Sequence, residues 1–308
     1  MSTLIIHHDD CLQHDPGPGH PEQIRRLKAV LGGLEGLRKL EYLPAPLVGE
    51  EQVRRVHSDS YQQWLAEMEP SDGRVALSES DTLMSRGSLA ASARGAGGLC
   101  FAVEQVLAAQ APNAFVASRP PGHHSGTDFS MGFCLYNNVA IGARHAQAQP
   151  GIERVAIIDF DVHHGNGTQQ IFAADPSVLF VSSHQMPLYP GTGDPDETGV
   201  GNVLNLALAP GDGSDVFRTA WGQRGLPAVD AFAPDLILLS AGFDAHHRDP
   251  LGQLEVQTPD YEWLTREIMG LADDHCDSKL VSILEGGYDL QGLAEAARAH
   301  AAALSTAA

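Results

Sequence analysis

Three short strings carry most of the residues in this sequence that are equipped for metal or hydrolytic chemistry. The first is Asp159-Phe160-Asp161-Val162-His163-His164-Gly165-Asn166-Gly167. In an extended segment alternate side chains face the same way, so Asp159, Asp161 and His163 share one side. A carboxylate and an imidazole two positions apart can both reach one cation. Asp244, within Ser240-Ala241-Gly242-Phe243-Asp244-Ala245-His246-His247, can supply a third ligand. Two carboxylates and one imidazole leave a zinc ion an open position for water and substrate, as a catalytic site requires. The second string, Arg119-Pro120-Pro121-Gly122-His123-His124-Ser125-Gly126, sets two adjacent histidines on a loop stiffened by prolines. Imidazoles titrate near neutrality and can hold a water and shuttle its proton. The third, Glu285-Gly286-Gly287-Tyr288-Asp289, joins glycines that let the backbone approach a ligand to a phenol able to donate to an oxyanion. Singly, such strings also occur in solvated loops, caps and turns. His7-His8 and His246-His247 are read in that ordinary way, with no catalytic role.

The elements that must position these residues alternate between strand and helix. Near-continuous apolar runs at 4–6, 114–116, 155–158, 178–181, 236–239 and 280–284 predict strands buried on both faces of a parallel sheet. Helix-like segments lie at 21–34, 88–109, 137–147, 214–232, 260–275 and 291–304, with Pro259 and Asp260 marking one helix start. This alternation predicts an α/β fold with helices on both sides of the sheet. The polar strings follow strands: Asp159 to His164 closes one, His184 the next, and Asp244 and Gly286-Gly287-Tyr288 follow two more. Ligands of open α/β sheets bind outside the carboxyl ends of the strands. The convergence of reactive side chains on one edge is therefore the main reason to expect a catalytic site.

The 308 residues, 43% of them hydrophobic, suffice for a sizeable core, and no repeat or linker divides them. A single domain over 1–308 is expected. The formal charge of −20, from 39 acidic and 19 basic residues, comes without a clustered basic footprint and argues against nucleic-acid binding. An acidic surface keeps a protein soluble and also attracts cationic substrates such as basic peptide tails or polyamines. No run approaches the roughly 18 apolar residues of a membrane span. The opening Met1 to His7, followed by Asp9-Asp10, lacks a basic n-region and a long apolar stretch. Cys11, Cys100, Cys134 and Cys276 form no Cys-x-x-Cys pair, which points to a reducing, cytoplasmic setting.

Five strings in order, Arg-Pro-Pro-Gly-His-His, Gly-Phe-Cys-Leu-Tyr-Asn-Asn, Asp-Phe-Asp-Val-His-His-Gly-Asn-Gly-Thr, Ser-Ala-Gly-Phe-Asp-Ala and Glu-Gly-Gly-Tyr, run from Arg119 to Tyr288. Their set and order resemble the histone-deacetylase-like amidohydrolases, closest to the class II branch. A weaker similarity reaches back to Gly19-His20-Pro21-Glu22, so the resemblance covers nearly the whole chain. It implies an arginase-like α/β fold with a central, mostly parallel sheet and one catalytic metal, zinc by default, with iron(II), manganese or cobalt also accepted by such ligands. Carried over, the metal ligands are Asp161, His163 and Asp244. His123 and His124 become tandem catalytic histidines, with Asp159 orienting His123 and Asn166 behind His124. Tyr288 becomes the oxyanion donor. Gly132 and Phe133 would line an acyl-lysine tunnel opposite Tyr189, where many relatives carry phenylalanine. Asp81 matches a rim aspartate that binds the substrate backbone. The resemblance also implies structural K⁺ or Na⁺. One site would use Asp159, Asp161, His163, Ser182 and Ser183. The second would use Phe172, Asp175 and Val178, with Asn202 at a position where relatives carry an aromatic ligand.

The expected activity is hydrolysis of the amide of an acetylated lysine in a peptide or protein. The nearest alternative is an acetylpolyamine amidohydrolase. Relatives specialised for that substrate carry a glutamate at the position of Leu251, although Glu67, Glu69, Asp72 and Glu79 precede Asp81 and offer carboxylates from another loop. A silent acetyl-ligand binding module would be expected to lack Tyr288 or a metal ligand, and all are present. A binuclear manganese ureohydrolase of the arginase type would need further ligands where His123 and His124 stand. No Gly-x-Ser-x-Gly elbow suggests a covalent route. Either a monomer or a homo-oligomer is compatible with the composition.

Overall fold

Apolar side chains at consecutive strand positions stay buried only where both faces of the sheet are covered. The chain meets that condition. A computed structural model describes residues 2–77 and 81–306. Its main sheet is built from β1 (Thr3–His7), β2 (Leu40–Pro44), β5 (Asn113–Val116), β6 (Val155–Asp159), β7 (Val178–Gln185), β8 (Val203–Leu208), β9 (Leu236–Ala241) and β10 (Leu280–Leu284), with β3 (Arg74–Ala76) and β4 (Leu83–Ser85) forming a separate hairpin. The sheet order is β2-β1-β5-β10-β9-β6-β7-β8, and every neighbouring pair is parallel.

Side chains alternate between two cores. Along β6, Val155 and Ile157 enter one core while Ala156 and Ile158 enter the other, all fully buried. Burying an aliphatic side chain this completely contributes roughly 1.5–3 kcal/mol. One face is covered by α1 (Arg25–Gly33), α7 (Ser214–Ala220), α8 (Leu226–Phe232), α9 (Thr258–Cys276) and α10 (Leu290–Leu304). The other is covered by α2 (Glu50–Arg54), α3 (Asp59–Met68), α4 (Ser88–Leu107), α5 (Asn138–Gln147) and α6 (Asn166–Phe172). No described helix is long and apolar enough to cross a membrane. The four cysteines are buried free thiols.

The six strands expected from apolar runs are all present. Two helices differ from expectation. The segment expected over 21–34 becomes helical at Arg25, because the Glu22 side chain is drawn inward to meet Arg26 and Arg119. The segment 214–232 is interrupted by a π-helical turn at Trp221–Gly225, where the buried Trp221 indole reaches Ser183.

For the site, the decisive feature is strand order. The loops bearing the tandem histidines, the Gly-Gly-Tyr string, Asp244 and the Asp-x-Asp-x-His string leave β5, β10, β9 and β6. These four strands are consecutive neighbours at the middle of the sheet, so their carboxyl ends deliver the loops to one place.

Candidate active site

Asp161, His163 and Asp244 each turn a ligand atom toward a common point, all within 4.8 Å of one another and all buried. His163 Nδ1 lies 3.0 Å from Asp161 Oδ1 and 3.1 Å from Asp244 Oδ2. Backbone N–H groups anchor the opposite oxygens: Gly286 N donates to Asp161 Oδ2 at 2.8 Å, and Val162 N to Asp244 Oδ1 at 2.8 Å. Gly286 is required here, since a Cβ at that position would collide with Asp244 Oδ2. Its motif thus approaches the ligands themselves. Burial, with the Asp161 charge beside it, pushes the Asp244 carboxyl up to about 7. Two carboxylates buried side by side need a counter-charge, which a divalent cation supplies. The O,O,N donor set, with each ligand pre-oriented, fits such an ion.

The tandem histidines sit beside this cluster with their rings 4.0 Å apart. Each is held at Nδ1, His123 by Asp159 Oδ2 at 2.9 Å and His124 by Asn166 Oδ1 at 2.7 Å. Both are buried, and the different partners separate them electrostatically. Burial works against the charge on His123, but the Asp159 carboxylate, with Asp161 adding, outweighs it and holds the group at about 10. Burial and the neighbouring His123 and His163 push His124 well below its usual value. Asn166, the first residue of α6, donates its own amide to Met131 Sδ at 3.3 Å, so its oxygen faces His124.

A cavity of about 240 Å³ opens onto these groups. His124, His163 and Tyr288 stand in its wall with Gly132, Phe133, Leu188, Tyr189 and Leu251, and Asp81. Phe133 meets the Tyr288 ring edge-on at 5.9 Å, and Tyr189 meets His124 edge-on at 5.4 Å. Gly132 has φ +53°, and a Cβ there would strike the His124 ring. Burial raises the Tyr288 phenol well above its usual value; Arg26 opposes this, while Asp244 and Asp161 add to it. The hydroxyl stays protonated. His20 Nε2 lies 3.0 Å from the Asp81 carbonyl, and the His20 ring packs on Phe133 at 4.7 Å. Every catalytic, metal and substrate-facing residue expected from the sequence is thus gathered here. His246, given no catalytic role, bonds Thr258 and stacks on Tyr261.

Three supporting groups escaped the sequence reading. Glu285 Oε2 accepts from Gly122 N at 2.6 Å and His123 N at 3.1 Å, tying the tandem-histidine loop to the end of β10. Asp249 Oδ2 accepts from Tyr288 N at 2.6 Å while its Oδ1 accepts from Leu251 N at 3.0 Å. Arg26 donates to the carbonyls of Glu285 and Gly287 at 2.5 and 2.6 Å and lies 4.8 Å over the Tyr288 ring. Glu285 stands inside a recognised string, and Asp249 two residues before Leu251, yet nothing in their spacing announced these bonds.

The first set expected to hold a monovalent cation lies around the carboxyl end of β6 and within β7, where Asp159 pairs with Ser182. There Ser182 Oγ is 3.0 Å from His184 Nδ1, and Ser183 Oγ accepts from Trp221 Nε1 at 3.1 Å. In the second set, the carbonyls of Phe172, Asp175 and Val178 converge on the side-chain amide nitrogen of Asn202.

Known proteins resemble this chain over nearly its whole length. The family model described as the histone deacetylase domain matches residues 20–304. A probable deacetylase of Archaeoglobus fulgidus is 40% identical over 301 residues, covering 95% of this chain and 83% of the relative. A histone deacetylase-like amidohydrolase of Pseudomonas aeruginosa is 36% identical over 311 residues, covering 93% and 81%. The crystal structure of the HDA15 HD domain superposes with a TM-score of 0.92 at 33% identity, covering 98% of this chain and 88% of that one. The parallel sheet between helical layers is the arginase-like fold these proteins share. Three residues able to ligate a metal, paired histidines and a phenol thus meet at one cavity, on a fold matched over nearly its full length; with the family model spanning residues 20–304, the chain belongs to the histone deacetylase family.

Proposed function

We propose that this deacetylase acts on acetylated lysine side chains of peptides or proteins, with one zinc ion held by Asp161, His163 and Asp244, releasing acetate. One observation carries the reading: His163, His124 and Tyr288 line a single cavity together with Phe133, Tyr189 and Leu251, whose apolar side chains wall the passage to them. Such a passage suits a methylene chain that presents an amide to polar groups.

The bound ion would polarise the acyl carbonyl and lower the pKa of a water toward about 7. His124 acts as the base at Nε2, because its Nδ1 proton is committed to Asn166. His123 keeps its proton through Asp159 and places fixed positive charge beside the reacting centre. Tyr288 donates its hydroxyl to the developing oxyanion. Phe133 and Tyr189 limit access of bulk water, which strengthens each of these interactions. A histidine of the pair then protonates the leaving amine. The same donor set also takes iron(II), manganese or cobalt. A K⁺ or Na⁺ bound by Asp159, Asp161, His163, Ser182 and Ser183 would brace the ligand loop from behind.

Leu251 supports a peptide substrate over a polyamine. It offers no partner to a second ammonium, whose desolvation would then go uncompensated. Glu67 and Glu69 are engaged by Gln63 and by the N–H of Leu89, and Asp72 caps Gly73; Glu79 lies outside the described residues. Among the described acidic residues of this stretch, Asp81 lines the cavity. Turnover of acetyl-lysine peptides, acetylspermidine, acetylputrescine and longer acyl-lysines on the purified protein tests the reading. The peptide should show the higher kcat/KM, and Leu251→Glu should narrow its lead. A tenfold preference for polyamines would overturn the substrate while leaving the deacetylase chemistry intact.

A further inference from the structure

The turn joining α6 to β7 aims three backbone carbonyls at one point, and a side-chain nitrogen occupies that point. Asn202 Nδ2 lies 2.8 Å from the carbonyl oxygen of Phe172, 2.9 Å from that of Asp175 and 2.8 Å from that of Val178. These are N–H···O hydrogen-bond distances. The amide has one tenable orientation: its oxygen accepts from Val200 N at 3.2 Å, and exchanging oxygen and nitrogen would set an acceptor against three acceptors. Two amide hydrogens serve three carbonyls, two of which also take turn N–H groups, from Asp175 to Phe172 and from Val178 to Asp175. Asn202 is buried, and its own carbonyl accepts from Phe180 N at 2.9 Å, which fixes the residue to β7.

A ring of carbonyls with a carboxylate nearby is the setting in which the resemblance implies a second monovalent cation. An ion gathers carbonyl dipoles and balances local negative charge. Both tasks are already done by groups attached to the chain. Asn202 gathers the dipoles. Arg144 balances the charge, with Nη1 2.5 Å from Asp175 Oδ2 and its guanidinium 4.6 Å over the Phe172 ring. An ion and the amide nitrogen cannot share the point. We infer that Asn202 replaces the second structural cation, so that this chain binds none among Phe172, Asp175 and Val178 and holds the α6–β7 turn with an internal amide.

Anomalous diffraction from crystals of the full chain soaked in thallium(I) tests this without reference to activity. The unaltered chain should show no anomalous peak among the three carbonyls, and Asn202→Ala, which vacates the point, should gain one. A peak in the unaltered chain overturns the inference. So does the absence of a peak in both proteins, which would mean that the carbonyls never formed a cation cage. Asn202→Asp keeps the shape but sets a carboxylate oxygen against three carbonyls, and gives a second readout in solution. Its melting temperature should rise by several degrees more than that of the unaltered chain when about 100 mM choline chloride is replaced by KCl, since a ligand stabilises the state that binds it. An equal response in the two proteins would contradict the replacement, because any other potassium site is common to both.

Discussion

Asn166→Asp is the most incisive perturbation of the proposed mechanism, because the site contains its own control. His123 and His124 are adjacent, equally buried and bonded through the same ring nitrogen, and they differ in having Asp159 or Asn166 as partner. The exchange is nearly isosteric. It falls on the first residue of α6, where a carboxylate is favoured by the helix dipole and stays ionised. Replacing a neutral hydrogen bond by a charge-assisted one is worth about 1–1.5 kcal/mol, close to one pKa unit. Coulomb attraction over about 4.5 Å at an effective dielectric near 20 raises the upper limit to about 3–4 kcal/mol, or nearly three units. The sign is definite: a carboxylate favours the imidazolium, so the pKa of His124 rises and the neutral base is scarcer at any given pH. The acid limb of the kcat/KM profile, which reports the base of the free enzyme, should therefore move up by about 1–3 pH units. Activity at pH values just above the acid limb of the unaltered enzyme should fall and recover as the pH is raised. The assay is a pH–rate profile on an acetyl-lysine peptide, with metal content measured in parallel. An acid limb that does not move while metal content is unchanged would remove His124 as the base.

Further expectations concern the groups around this pair. Tyr288→Phe should bind metal normally and lose about 10²–10³ in kcat, the usual effect of deleting an oxyanion donor; unchanged kcat would assign that role elsewhere. Asp249→Ala releases the backbone N–H groups of Tyr288 and Leu251, and a displacement near 1 Å can cost about 10² in rate, so kcat should drop with metal stoichiometry intact. Loss of metal instead would mean that Asp249 supports the ligands and not the phenol. Burial holds His300 at about 3 and His57 at about 4, below their ordinary value of 6.5. Between 6.5 and those values the unfolded chain binds protons that the folded chain does not. Stability should therefore fall as the pH drops below about 6.5, by on the order of 1.4 kcal/mol per unit per histidine. Denaturant midpoints that stay level between pH 7 and 5 would contradict this.

Most of the candidate site was legible in the sequence because its residues sit in short local strings, whose set and order also carry the family resemblance. Asp159, Asp161 and His163 declare themselves by spacing, and the loops that carry reactive groups follow apolar runs that become central strands. What escaped notice depends on contacts far apart in sequence. Glu22 and Arg119 are 97 positions apart and fully buried against each other, and a charged residue in a polar stretch gives no sign of such a partner. Glu285 and Asp249 act through backbone N–H groups, which leave no trace in residue type. The strands β2 and β8 were not anticipated because they lie at the sheet edges. Leu40–Pro44 is largely exposed, and Val203–Leu208 carries Asn205, whose amide is spent on Gln169 and the carbonyls of Asp194 and Glu197. Neither presents the unbroken apolar run that marks a central strand. Asn202 illustrates the opposite limit: its position aligned with a ligand of the relatives, and its side chain took the place of what that ligand binds.

A deacetylase working with one catalytic metal must release acetate in step with metal loading. The purified protein is stripped with a chelator, titrated with zinc and assayed on an acetyl-lysine peptide, beside Asp161→Ala, His163→Ala and Asp244→Ala. The stripped enzyme should be inactive, one equivalent of zinc should restore acetate release in full, and none of the three variants should recover. Activity in the stripped enzyme, a requirement for two equivalents, or full recovery of any variant would contradict a one-metal deacetylase.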